Sequence, residues 1–182
     1  MNYNSTVLRL LFLAILLLSA LNADEFRIVA PGITLAIPAG WTQTKAADGG
    51  SVVVRSPLAA DADGPTRAAG ANIAISVEAS RAGRDSQTVL DEALATLRRL
   101  APEFTVINVP TTVEVGGRSW RRASYRFTTG ELVWMQSIMA VSDAHGTACI
   151  TCSSDDAHFS IWQPTFTQAL AGLEHTASHL TP

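Results

Sequence analysis

The sequence predicts an α+β domain, an antiparallel β-sheet meander with two main packed helices, preceded by an N-terminal signal helix. Three observations predict it. Most of the chain alternates apolar and polar residues with the period of two that marks strands. Two segments instead repeat apolar residues every three or four positions, as amphipathic helices do. The first 23 residues carry an uncharged apolar run that belongs to export rather than to the fold.

The export segment comes first in the chain. Met1 to Arg9 is polar with one cation, Arg9, and Leu10 to Ala20 then runs without a charge. A positive start, a short apolar run and small residues after it describe a secretory signal peptide over residues 1–23. A bilayer span needs about 20 apolar residues, more than this run supplies. Cleavage after Ala23 leaves Asp24 as the first mature residue. Cleavage after Ala20, an uncleaved anchor and a buried core helix are the alternatives. No cysteine follows the run, which disfavours a lipid anchor, so the expected location is the periplasm or the exterior.

Residues 24–182 then form a single α+β domain. The whole chain has 182 residues, with 13 Lys and Arg against 16 Asp and Glu, a net charge of −3. Losing Arg9 with the signal leaves 12 cations against 16 acids, a charge of −4. This is long enough for a real core, and neither disordered nor basic enough to suggest nucleic acid. No further apolar stretch is long enough to span a membrane, so no stable span is expected after signal cleavage.

Phe26 to Val29, Ile33 to Pro38, Ser51 to Arg55 and Ala71 to Val77 read as strands bounded by Pro and Gly. Pro38-Ala-Gly-Trp41 is a turn that delivers a tryptophan, and Ala59 to Gly70 is an exposed loop. Val89, Leu90, Ala93, Leu94, Leu97 and Leu100 share one helical face, with Asp85 or Ser86 as cap and Pro102 as stop. Phe104 to Val109, Thr112 to Val115, Arg118 to Thr128, Leu132 to Val141 and Thr147 to Ser153 follow as meander strands, turning at Gly116-Gly117, Thr129-Gly130 and Asp143 to Gly146. Phe159, Trp162, Phe166, Leu170 and Leu173 mark a last helix. Pro164 belongs best in its first turn, with Phe159 to Trp162 as a separate lead-in.

This order of elements resembles the PsbP-like α/β/α sandwich, and within it the bacterial DcrB and LpqN-type envelope proteins. The residues that carry the resemblance are Ile37-Pro-Ala-Gly-Trp41, Gly130 with Gln136, Ala148-Cys-Ile-Thr-Cys-Ser153, and Phe159, Pro164-Thr-Phe166 and Leu170. Together they cover Phe26 to His175. The resemblance implies a binding protein. The fold includes a photosystem subunit, a Ran-binding transport factor, envelope proteins and cytoplasmic effector chaperones, and an export signal argues against the last role. The family shares no catalytic set, so no site residue is carried over.

Few residues suggest chemistry. Cys149 and Cys152 stand three apart on a strand, which turns them to opposite faces. They read as separate structural cysteines, as a disulfide at a distorted strand end, or as a redox or metal pair. His145 and His158 flank that strand, about 35–40 Å apart if it is extended. His175 and His179 have i, i+4 spacing but no third ligand, so no metal or cofactor is expected. No Gly-x-Ser-x-Gly elbow occurs. Asp155-Asp156 reads as anions at a helix N-terminus, and Asp91-Glu92 as the polar side of the first helix.

Arg118 to Arg126 is the stretch most suggestive of a binding surface. Alternation places Arg118, Trp120, Arg122, Ser124 and Arg126 on one face, which could meet a protein partner or an anionic envelope component such as a lipid head group. The plainer reading is a solvated face whose arginine stems cover a tryptophan. Trp134 and Gln136 are expected to extend this face. The functional expectation is therefore an exported, non-enzymatic binding or accessory protein of the bacterial envelope. The alternatives are a small hydrolase or other enzyme whose site one sequence does not reveal, and a carrier of a lipid or apolar ligand.

Overall fold

The computed structural model describes residues 27–30, 33–45, 51–57, 70–78, 81–101, 103–144 and 146–175. The signal segment, most of the 59–70 loop, His145 and His179 lie outside the described residues. Among the described residues, ten strands form two antiparallel sheets. β1 (Arg27–Ala30), β2 (Ile33–Ala36) and β10 (Glu174–His175) make a three-stranded sheet with β2 central. The large sheet has seven strands in the order β3-β4-β5-β9-β8-β7-β6. These are β3 (Thr42–Lys45), β4 (Ser51–Arg55), β5 (Asn72–Glu78), β6 (Thr105–Val115), β7 (Arg118–Thr129), β8 (Leu132–Asp143) and β9 (Gly146–Asp155). The last four form the expected meander, and β9 returns to pair with β5.

Two helices pack on opposite faces of this sheet. α1 (Ser86–Leu100) begins where Asp85 Oδ2 accepts the Thr88 N–H at 2.9 Å, which satisfies one of the first turn's orphan donors. Its Val89, Leu90 and Leu94 bury against Ala123, Tyr125, Ile138 and Ala140 of β7 and β8. Leu100 does not join them; the final turn passes the edge of the core and leaves it 77% exposed. α2 (Phe159–Ala171) lies on the other face. With Ile33 and Leu35 of β2, its Phe166 and Ala169 cover Val54, Ile73, Ile150 and Cys152. The helices are therefore offset sideways: α1 sits over β7 and β8, while α2 and the small sheet sit over β4, β5 and β9.

Four details correct the sequence expectations. α2 is continuous from Phe159 and holds Pro164 in its interior. Proline there removes one N–H donor, and packing on both sides of it, by Phe159 and Trp162 before and Phe166 after, keeps the helix whole. Thr105–Val115 is one strand rather than two, carried through Pro110 by two register shifts. An edge strand tolerates this because its outer N–H groups pair with no neighbour. β3 and β10 have too little apolar patterning to be legible in the sequence. Finally, cross-strand partners share a face. Trp134 and Gln136 oppose Phe127 and Tyr125, so they belong to the α1 face and do not extend the arginine face.

Candidate functional site

The arginine face of β7 sorts itself by partner. Trp120 is not a surface residue. It is fully buried in the core under α2, and its Nε1–H donates to the Val115 carbonyl at 3.1 Å. Arg118 is ion-paired with Asp143 at the far end of β8. Arg126 reaches Asp156, which follows β9, with Nε and the terminal nitrogen at 2.9 and 2.8 Å from Oδ1. Arg122, between them, is exposed and has no ion pair or side-chain hydrogen bond among the described residues.

Arg122 borders a groove of about 300 Å³ between α2 and the uncovered part of the sheet. Its floor is a polar row running across four strands. Asn108 on β6 opposes Ser124 on β7, Ser124 opposes Ser137 on β8, and Ser137 opposes Cys152 on β9. All four line the groove. The side chains of Asn108, Ser124 and Ser137 have no hydrogen-bond partner among the described residues. The wall is α2, which contributes Phe159, Phe166 and Leu170 as apolar surface and Gln163 and Thr167 as polar surface. Over β6 and β7 the groove adjoins a shallower hollow of about 320 Å³, which shares Asn108, Arg122 and Ser124. The β6 register shifts flank Asn108, so the bulged edge forms the rim.

This arrangement arises from sideways offset. The face of β8 that carries Ser137 also carries Met135, Met139 and Val141, and a serine inside that apolar register was the one signal legible in the sequence. Asn108 and Gln163 gave none, since their place in the site depends on bulge geometry and helix position.

The remaining candidates are placed apart from the groove or closed off. The disulfide left open between Cys149 and Cys152 is not formed, because the thiols lie on opposite faces of β9. Burial pushes the Cys149 thiol up to about 11, with Glu78 adding to the rise and Arg81 opposing it. Burial alone pushes Cys152 up to about 12. Both thiols are therefore protonated at neutral pH and poor nucleophiles. Asp155 accepts from His158 twice, from the backbone N–H at 3.1 Å and from Nδ1 at 2.5 Å. This pair fixes the turn into α2. Trp41, delivered by the expected turn, meets Trp162 edge-on at 5.6 Å and braces α2 against the start of the chain. Among the described residues no group of three His, Cys, Asp or Glu could hold a metal ion, and no helix is long and apolar enough to cross a membrane.

No family model and no curated protein matches the chain. Solved structures do share its architecture. A Pseudomonas aeruginosa protein of unknown function, described as a putative regulator, is 17% identical with a TM-score of 0.56, over 86% of this chain and 95% of that one. LpqN, involved in cell envelope biogenesis in Mycobacterium tuberculosis, is 14% identical with a TM-score of 0.57, over 84% and 91%. The cyanobacterial PsbP of Synechocystis is 14% identical with a TM-score of 0.55, over 82% and 91%. The chain thus has the PsbP-like fold, and its likeness to these proteins is one of fold.

Proposed function

We propose that this chain is an exported accessory protein of the bacterial envelope that binds a small ligand in the groove beside α2 and does no chemistry on it. The observation that carries the reading is the floor. Asn108, Ser124 and Ser137 place unpartnered polar groups where a closed sandwich needs apolar ones. Asn108 is exposed and Ser137 half-buried, so these groups stay open to water and can give their hydrogen bonds to a ligand that displaces it. Pockets that orient small molecules combine apolar walls with a few convergent polar groups in this way. Two protonated thiols and a histidine engaged in a turn favour binding over covalent catalysis. A groove of about 300 Å³ suits a compact ligand better than a long lipid.

A small-molecule thermal-shift panel on the wild type and on a Ser124→Val/Ser137→Val variant tests the site. Ligands that stabilise the wild type are expected to lose their effect in the variant. Equal responses from both proteins would remove the groove from consideration. The amino-terminal mass of the protein recovered from an envelope fraction tests export, with a start at Asp24 expected and an intact Met1 on exported protein counting against a cleaved signal.

A further inference from the structure

We infer that the ligand of this groove is a compact amphipathic oxyanion, its head held by Arg122 and its apolar body lying under α2. The inference rests on the groove reading above and adds the ligand's chemical class. Three arginines share one face of β7, and two are neutralised within the fold by Asp143 and Asp156. Arg118 and Arg126 each stand four residues from Arg122, about 13 Å along an extended strand. That exceeds the Debye length of about 8 Å at physiological salt, so the two ion pairs do not cancel Arg122's field. Among the described residues, those lining the groove and the adjoining hollow include no carboxylate and no other cation. The site therefore presents one positive charge, accompanied by neutral donors from Asn108, Ser124 and Ser137.

A guanidinium fork matches the two oxygens of a carboxylate or phosphate, which a neutral or cationic ligand cannot offer. The apolar side lies opposite. Met135 on β8 and Phe159, Phe166 and Leu170 on α2 line the groove away from β6. From β7 to β9 the floor spans two strand spacings, about 10 Å. That length accommodates a body of roughly six to eight carbons or one aromatic ring, and not a long acyl chain.

Titration calorimetry on the full chain tests the inference with four probes: octanoate, phenyl phosphate, inorganic phosphate and octanol. The proteins compared are the wild type, Arg122→Gln and Ser124→Val/Ser137→Val. Octanoate or phenyl phosphate is expected to bind the wild type, and Arg122→Gln to weaken it by about 10- to 100-fold, the scale of one charge-assisted contact. Arg122 is exposed and unpaired, so an unchanged thermal midpoint is expected for Arg122→Gln. Inorganic phosphate binding as tightly as phenyl phosphate would overturn the amphipathic part. Equal binding to Arg122→Gln, or failure of both organic anions, would overturn the inference. If octanol then binds the wild type and the double valine variant abolishes it, the groove reading survives without the anion. If no probe and no panel compound distinguishes that variant from the wild type, both readings fall.

Discussion

Gly116 offers a direct test of how the groove's wall is held. Val115 and Arg118 pair across a two-residue hairpin whose central glycines both have positive φ, 59° at Gly116 and 72° at Gly117. That is the turn whose twist suits adjoining strands and which favours glycine at both positions. The two differ in their surroundings. A Cβ on Gly116 would lie 2.5 Å from the Leu173 carbonyl oxygen, whereas one on Gly117 meets nothing within 4 Å. Leu173 follows α2, is buried, and donates its N–H to Leu170 at 3.1 Å, so it cannot withdraw freely. Gly117→Ala should cost only the left-handed backbone penalty, about 1–2 kcal/mol. Gly116→Ala carries the same penalty and an overpacking term of about 1–3 kcal/mol. Urea denaturation of both variants measures the difference. With a slope of about 1–3 kcal/mol per molar, Gly116→Ala should unfold at a midpoint roughly 1 M below Gly117→Ala. Coincident midpoints would refute the claim that this hairpin braces the end of α2.

Three further outcomes follow from named contacts. Trp120→Ala should destabilise by about 3–5 kcal/mol in urea melts, because it empties a fully buried site and removes the indole's hydrogen bond to the Val115 carbonyl; a loss under 1 kcal/mol would place the indole outside the core. Asp85→Ala should cost about 1 kcal/mol by removing the α1 cap, with Asp85→Asn largely retaining it, and equal losses in both would argue against capping. The thiols set an alkaline limit. Both have folded values above the ordinary 9.0, at about 11 and about 12, so between those values the unfolded chain sheds protons that the folded one keeps. Their contribution to stability is complete below 9 and declines as pH rises toward 12. Cys149→Ala/Cys152→Ala should flatten that decline, and an unchanged pH slope would show that the thiols do not cause it.

Much of the fold was legible because its elements announce themselves locally. The α1 face from Val89 to Leu97 and its Asp85 cap repeat at helical spacing, and β7 to β9 alternate between glycine-marked turns. What was lost depended on distant packing. Pro164 looked like a helix start because isolated helices do not tolerate an internal proline; the surface beneath Phe159 and Phe166 is what overrules it. Pro110 looked like a break between strands, and only its position on the sheet's edge makes it acceptable. β10 has two residues, and its pairing with β2 comes from α2 delivering the chain there.

The site was half legible, and the half that was missing explains the other. Alternation along β7 was enough to gather Arg118, Arg122 and Arg126, but not to tell them apart, because Asp143 and Asp156 lie 25 and 30 residues further along the chain. Sheet order brings those carboxylates to the two ends of the face and, among the described residues, none to its middle. The middle is also where cover is missing: the core under α2 takes in Trp120 at one end of β7 but leaves Arg122 exposed. Had the helix been shifted over β7, Arg122 would have been buried and would have needed an acid of its own, because an unpaired charge cannot be taken out of water cheaply. Left open, it can remain unpaired, and the serines beside it can remain solvated. The offset of one helix thus accounts at once for a free cation, an unpartnered polar floor and an apolar wall facing them.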